Sequence, residues 1–178
     1  MIELSVPFLV RRAPRRITRV ILATGEKPDP VWRSHFEKQL TGIELQVMVE
    51  PAFRYLSEQQ ISAGNVRTRI QQALEKLFKA TSPEPVIAWA HNLGVARNLI
   101  LAKELGDYCS QRSIPLLAHH HDWWFDNRWI RWPEMRAAGF RTLASAAHAV
   151  FPASKCIRHA AINQVDAAIL TRHFGPAG

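Results

Sequence analysis

The sequence predicts an α/β protein with a mainly parallel sheet enclosed between two layers of helices, a three-layer sandwich. Segments of helix length and strand length alternate along the chain of 178 residues. The strand segments are almost continuous apolar runs, which is typical of parallel strands buried on both faces. Apolar residues make up 47% of the chain, enough to fill a substantial core. These observations favour one domain over residues 1–178.

The strands are predicted from apolar runs that end at turn residues or polar clusters. ITRVILAT at 17–24 is rich in β-branched residues, and Gly25 and the Pro-Asp-Pro turn at 28–30 follow it. The remaining runs end at a proline or at a cluster of polar side chains. We expect strands to include residues 18–23, 44–49, 86–90, 115–119 and 148–151.

The helices are predicted from apolar residues that recur every three to four positions. This pattern is strongest at 66–80 and 95–111, where the apolar side chains form one stripe. Weaker patterns predict helices at 31–40 and 155–173. Residues 122–140 contain four of the six tryptophans and are expected to form a long loop with a short helix.

The charge and cysteine content restrict the classes of function. Lysine and arginine number 23 against 15 acidic residues, and the net charge of +8 favours anionic partners such as nucleic acids, phosphates, sugar nucleotides or an acidic membrane surface. Cys109 and Cys156 form no C-x-x-C pair, and we interpret both as reduced thiols of a cytoplasmic protein. No apolar run approaches the ~18–20 residues of a membrane span, and no signal peptide is recognised.

Polar side chains follow three of the predicted strands at the point where each strand ends. They are, in chain order, His91 and Asn92, then His119 to Asp122, then Ser154, Lys155 and Arg158. Open parallel sheets bind ligands at the carboxyl ends of their strands. We therefore expect these groups to meet at one edge of the sheet and to form a ligand site.

Simpler structural interpretations stand beside this one. Asn92 and Ser154 are also good helix caps, and Lys155 and Arg158 suit a solvated helix face. The tryptophans that begin with Trp123 also suit core packing, although the faces of indole rings pack well on sugar rings.

The HHHD run at 119–122 is compatible with two kinds of chemistry. In an extended strand His119 and His121 point one way and the histidine between them points the other. Such a pair followed by Asp122 suits a metal-dependent hydrolase, but two tryptophans stand where such enzymes carry a further histidine. We therefore favour a hydrogen-bonding or acid–base pair and expect no metal. Neither a glycine-rich phosphate loop nor a G-x-S-x-G motif is found.

Two stretches resemble the amino-terminal domain of retaining glycosyltransferases of the GT-B architecture, of the group 1 kind: HNLGVARNLILAKELGDYCSQRSIPLLAHHHDWW and VFPASKCIRHAAINQ. The resemblance is carried by AHN at 90–92, HDW at 121–123 and PAS at 152–154. It covers residues 85–173 well and residues 17–51 in outline only. The glycine-rich loop that usually follows the first strand in that family is not found here.

The resemblance implies that this chain is the Rossmann-like, acceptor-side half of a GT-B enzyme, whose other half holds the nucleotide sugar. It implies that His121 and Asp122 are catalytic, with His121 facing the transferred sugar. It places His91 beside them. Together with the polar strand ends, this gives the expected substrate-binding residues: His91, Asn92, His119, Trp123, Ser154 and Arg158.

The resemblance also sets the expected partners. The carboxy-terminal nucleotide-sugar domain is absent from the sequence, so we expect the isolated chain to be inactive. The expected partners are a nucleotide-sugar donor, a saccharide or lipid-linked acceptor, the second domain, and a second copy of the chain in a homodimer. No cofactor is expected. We expect the protein in the cytoplasm, with peripheral binding at the inner membrane surface left open.

A basic nucleic-acid-binding module is the alternative that the net charge suggests. Against it, the positive charge is dispersed except for a group near the amino terminus, Arg11, Arg12, Arg15 and Arg16. No recognised nucleic-acid-binding motif accompanies that group. We therefore expect no nucleic acid partner.

Overall fold

The computed structural model describes residues 2–60, 62–79, 84–123 and 129–175. Over these residues the chain is an α/β protein with seven α-helices and five strands, and every strand pairing among them is parallel. The chain divides into two compact units, Met1–Arg54 and Tyr55–Gly178, each with its own small sheet. The α/β class and the parallel pairing are confirmed. The single domain and the three-layer sandwich stay predictions.

The first unit contains two helices and two parallel strands. They are α1 (Ile2–Arg12), β1 (Arg19–Thr24), α2 (Pro30–Gln39) and β2 (Glu44–Val49). Asp29 begins α2, because its side chain accepts a hydrogen bond from the Trp32 N–H and the following proline fits the first turn. β1, β2 and α2 lie where the sequence predicted two strands and a helix, whereas α1 was not predicted.

The second unit carries the remaining elements. They are α3 (Ala63–Lys79), β3 (Ala88–His91), α4 (Leu99–Arg112), β4 (Leu116–His120), α5 (Trp132–Ala137), α6 (Leu143–Val150), β5 (Ile157–Ala161) and α7 (Gln164–Phe174). The three strands form a parallel sheet in the order β3-β4-β5. Consecutive strands are therefore neighbours, and each crossover between them contains one helix or more.

The two faces of this sheet differ in burial. Along β4 the side chains alternate, with Leu116, Ala118 and His120 buried and the two residues between them half-buried. The register aligns Ala90 of β3 with Ala118, so the same alternation continues across the strands. The less buried face carries the side chains in register with Leu117 and His119.

The predicted strand at 148–151 is wrong, because these residues belong to the end of α6 and the turn after it. Thr142 and Ser145 form a reciprocal capping box that begins this helix. The buried Ala146, Ala149 and Val150 follow helix spacing. A short apolar run fits either a strand or a buried helix, and here the cap decides in favour of the helix.

The fifth strand lies later in the chain than predicted. β5 occupies Ile157–Ala161, within the segment for which a helix was predicted, and α7 begins only at Gln164. The Asn163 side chain caps α7 by accepting a hydrogen bond from the Asp166 N–H. The predicted helix at 155–173 is therefore correct only in its second half.

The tryptophan-rich segment contains the expected short helix, α5, which Pro133 favours in its first turn. Trp129 begins a single 3-10 turn just before that helix. Trp124 lies outside the described residues. Among the described helices, none combines the length and the apolar character that a bilayer span requires.

Gly106 lets α4 pack closely against the turn after α6. A Cβ at this position would lie 2.8 Å from Cγ and 3.0 Å from Cβ of Pro152, a rigid ring. We expect Gly106→Ala to lower the free energy of unfolding by about 1–3 kcal/mol through overpacking. Urea denaturation measures the change.

The matched control is Gly64→Ala in α3, where an added Cβ meets nothing within 4 Å. Alanine favours helix over glycine, so this substitution should leave stability unchanged or raise it by up to ~1 kcal/mol. Equal effects of the two substitutions would contradict a close approach at Gly106.

Candidate functional site

Three histidines of the second unit converge at the ends of β3 and β4. His91 is the last residue of β3 and is in register with His119, while His121 follows β4 directly. Ring centroids lie 4.4 Å apart for His91 and His121, 4.4 Å for His119 and His121, and 5.9 Å for His91 and His119. We call these three residues the histidine cluster. It lies at the carboxyl edge of the sheet, on the less buried face.

The ring nitrogens of the histidine cluster face one another. One nitrogen from each ring lies within 4.8 Å of the other two. His91 Nδ1, His119 Nδ1 and His121 Nε2 are buried and find no hydrogen-bond partner among the residues that the structure describes. Buried polar atoms are nearly always paired in folded proteins. Three such atoms at one place make this edge of the sheet the candidate ligand site.

Burial keeps these imidazoles uncharged. Burial and the nearby His121 and His119 lower the pKa of His91 to about 4. The pKa of His119 is also lowered, first by burial and then by His121. Burial lowers the pKa of His121 as well, although the Asp122 carboxylate acts in the opposite direction. At neutral pH each ring therefore offers one N–H donor and one lone pair.

Asn92 ties the ends of the two strands together. Its Oδ1 accepts hydrogen bonds from the backbone N–H groups of His121 and Asp122, each at 3.1 Å. Its Nδ2 donates to Asp122 Oδ2 at 3.1 Å, and its own N–H donates to the His119 carbonyl at 2.6 Å. These bonds fix the position of His121 and the orientation of the Asp122 carboxylate.

The alternative role for Asn92, as a helix cap, is not the one that the structure shows. Its side chain makes no capping bond to the 3-10 turn Leu93–Val95 that follows. The cap of α4 is Asn98, whose Oδ1 accepts a hydrogen bond from the Leu101 N–H at 2.9 Å. Asn92 instead adopts a left-handed backbone conformation with φ of 60°.

Gly94 is a residue of the site that the sequence did not single out. A Cβ there would lie 2.6 Å from the Asp122 carbonyl oxygen and 2.9 Å from His120 Nδ1. Any side chain at this position would push the turn after β4 away from the end of β3. The sequence signal was the Asn-Leu-Gly segment, which predicts a turn but does not show which residues pack against it.

His120 occupies the opposite face of β4, as the alternation of the strand predicted. It is fully buried, and its Nε2 lies 3.0 Å from Nδ1 of His159 on β5. Burial and His159 lower the pKa of His120 to about 3. This second histidine pair lies on the covered face of the sheet and belongs to the core.

Trp123 lies with this core pair and not with the histidine cluster. Its ring stacks on His120 at 4.9 Å and contacts Phe151 at 5.4 Å, and only 7% of its surface is exposed. Trp123 therefore packs in the core, which was the alternative to a role in binding sugar rings. Trp89 lies on the face of the cluster instead, stacked on His119 at 5.8 Å. The alternation of β3 places Trp89 beside His91, a signal that the sequence contained.

Ser154 and Arg158 lie at the other end of the sheet, which corrects the expectation that three strands bring their polar ends to one edge. β5 begins at Ile157, so Ser154 precedes it, near its amino end. Ser154 Oγ lies 3.4 Å from Cys156 Sγ. The Arg158 guanidinium donates to the carbonyls of Lys155 and Ile157. The mistaken strand at 148–151 is the cause of this error.

Five of the eight predicted site residues are therefore adjacent: His91, Asn92, His119, His121 and Asp122. The ends of β3 and β4 bring these five residues together, as we expected for these two strands.

Known proteins give no further guide. No family model, curated protein or solved structure matches this chain. The family resemblance therefore stays a hypothesis, and the chemistry has to be inferred from the site.

Two substitutions of Asn92 separate its hydrogen bonds from its backbone conformation. Asn92→Gly removes the side-chain bonds, a loss of about 1–3 kcal/mol of unfolding free energy, but it also relieves the strain of a Cβ at positive φ. Asn92→Ala removes the same bonds and keeps a Cβ in the left-handed region, so it should be about 1–2 kcal/mol less stable than the glycine variant. Urea denaturation of the three proteins measures both effects. Equal stability of the alanine and glycine variants would show that the left-handed backbone costs nothing.

Proposed function

We propose that this chain is the acceptor-side half of a two-domain, retaining glycosyltransferase of the GT-B type, which transfers a sugar from a nucleotide sugar to a saccharide or lipid-linked acceptor. The observation that carries the proposal is the histidine cluster at the carboxyl ends of two adjacent parallel strands. Ligands of open α/β sheets bind at this position. The resemblance of residues 85–173 to that family supports the same function.

The uncharged imidazoles of the cluster suit the recognition of a sugar. Each neutral ring can donate one hydrogen bond and accept another, which matches a hydroxyl group that does both. Trp89, stacked on His119, adds an aromatic surface beside these polar groups. The cluster therefore combines the polar and apolar contacts that a saccharide offers.

His121 is the member of the cluster to which we assign catalysis. It lies after the last residue of β4, where Asn92 holds its backbone N–H and that of Asp122. A positioned N–H donor stabilises charge that develops on a transferred group without reorganising. In this proposal Asp122, bonded to Asn92 Nδ2, orients the turn that carries His121.

This half supplies only one wall of the cleft. Retaining transfer requires that the donor phosphate be held and neutralised, and in the proposed architecture the second domain does this. Catalysis of this kind depends on positioning and charge stabilisation from both sides. α7 exposes two apolar side chains one turn apart, Val165 and Ile169. In this proposal the second domain or a second copy of the chain would cover them.

The test uses the chain joined to whatever the reading frame encodes after residue 178. We expect that segment to be a second Rossmann-like domain, and we expect the joined protein to release nucleoside diphosphate from a UDP-, GDP- or ADP-sugar. His121→Ala should lower this turnover at least ~100-fold, as the loss of a positioned donor does. Its melting temperature should change little, because a ligand-facing side chain contributes little to packing.

The control is His148→Ala, which removes an exposed histidine on α6 and should leave turnover unchanged. A downstream segment of unrelated fold would overturn the proposal. So would a His121→Ala protein that melts much earlier but keeps its turnover per folded molecule, because His121 would then be a packing residue.

A further inference from the structure

We propose that His91, His119 and His121 form a binding site for a divalent transition metal such as Zn²⁺, held by three imidazole nitrogens, with one coordination position that none of the described residues fills. This goes beyond the proposed transferase function, since it is a binding property of this chain alone.

The fold presents the three ligands in a suitable arrangement. His91 and His119 are directly opposite each other on adjacent parallel strands, so their side chains leave the same face of the sheet. His121 lies two residues after His119, just beyond the end of β4, and its side chain points to the same side. Three ligand atoms from these rings lie within 4.8 Å of one another.

The distances require only side-chain adjustment. Zinc–nitrogen bonds of ~2.0–2.1 Å in a tetrahedron place the nitrogens ~3.4 Å apart. Because the nitrogens already lie within 4.8 Å of one another, we assign the remaining shortening to rotation of the imidazoles about χ1 and χ2. Neutral imidazole is the form that binds metal.

The unpaired nitrogens select a cation over other ligands. One nitrogen of each ring is buried without a protein partner among the described residues. In the tautomer that turns a lone pair of each ring inward, a sugar hydroxyl donates to one ring and a water molecule to two, so one lone pair still has no donor. A single metal ion accepts all three at once.

The number of protein ligands distinguishes a structural metal site from one that can bind a further ligand. Structural zinc sites are closed by four protein ligands, whereas sites with three keep a position for water or a substrate oxygen. Among the residues that the structure describes, the ligand atoms that lie together come from the three histidines, and Asp122 does not belong to this group. The ligand class of the open position is thus an oxygen donor, such as water, a hydroxyl or a phosphate.

The experiment uses the tag-free chain stripped of metal with a chelator. Titration with Co²⁺ should give the intense visible bands of tetrahedral cobalt and saturate at about one ion per chain, and Zn²⁺ should displace it. Calorimetry with Zn²⁺ measures the affinity. Added Zn²⁺ should also raise the melting temperature of the native chain, because a ligand that binds only the folded state stabilises it.

Single substitutions locate the site. His91→Ala, His119→Ala and His121→Ala should each weaken Zn²⁺ binding at least ~100-fold, since even partners that only support a ligand change affinity ~10–100-fold. His148→Ala, which removes an exposed histidine, should bind as the native chain does. Circular dichroism checks that each variant is folded, and His119→Gln provides a conservative second variant.

Two results would overturn the inference. One is that the native chain shows no saturable binding of Co²⁺ or Zn²⁺. The other is that folded variants of the cluster bind the metal as tightly as the native chain does. Either result leaves the transferase proposal standing, because hydrogen bonding to a sugar needs no metal. Conversely, metal binding with no turnover in the joined two-domain protein would remove only the transferase proposal.

Discussion

The parallel pairing of β3 with β4 is the constraint on which the site depends. In this pairing His91 lies opposite His119, and Trp89 lies opposite Leu117. Because neighbouring residues in register point to the same face, a single alignment places the side chains of the cluster together. A shift of one residue would turn His91 toward the buried face and separate the cluster.

The close contact between the ends of these strands is maintained at an energetic cost. Asn92 adopts a left-handed conformation that costs about 1–2 kcal/mol for a residue with a Cβ, but its side chain is thereby placed to bind two backbone N–H groups of the neighbouring turn. Gly94 leaves the space that the turn occupies. Strain of this kind is found where surrounding contacts over-determine the backbone, and it often accompanies function.

The three consecutive histidines at 119–121 divide between two environments. His120 enters the core, pairs with His159 and stacks with Trp123. His119 and His121 remain on the less buried face beside His91. One run of identical residues thus supplies both a core contact and a ligand site, and the alternation of the strand alone separates the two roles.

The amino-acid sequence by itself determined the α/β class, four of the five strands, and the separation of His119 and His121 from His120. These follow from local rules, the period of a strand and the turn residues that end it. The run at 148–151 fits a helix or a strand equally well, and the capping box of Thr142 and Ser145 made it the end of α6. Tertiary structure decided the rest. Strand pairing set the register of His91 against His119, the hydrogen bonds of Asn92 and the separation of Ser154 and Arg158 from the site. Register is set between segments far apart in the chain, and no local pattern specifies it.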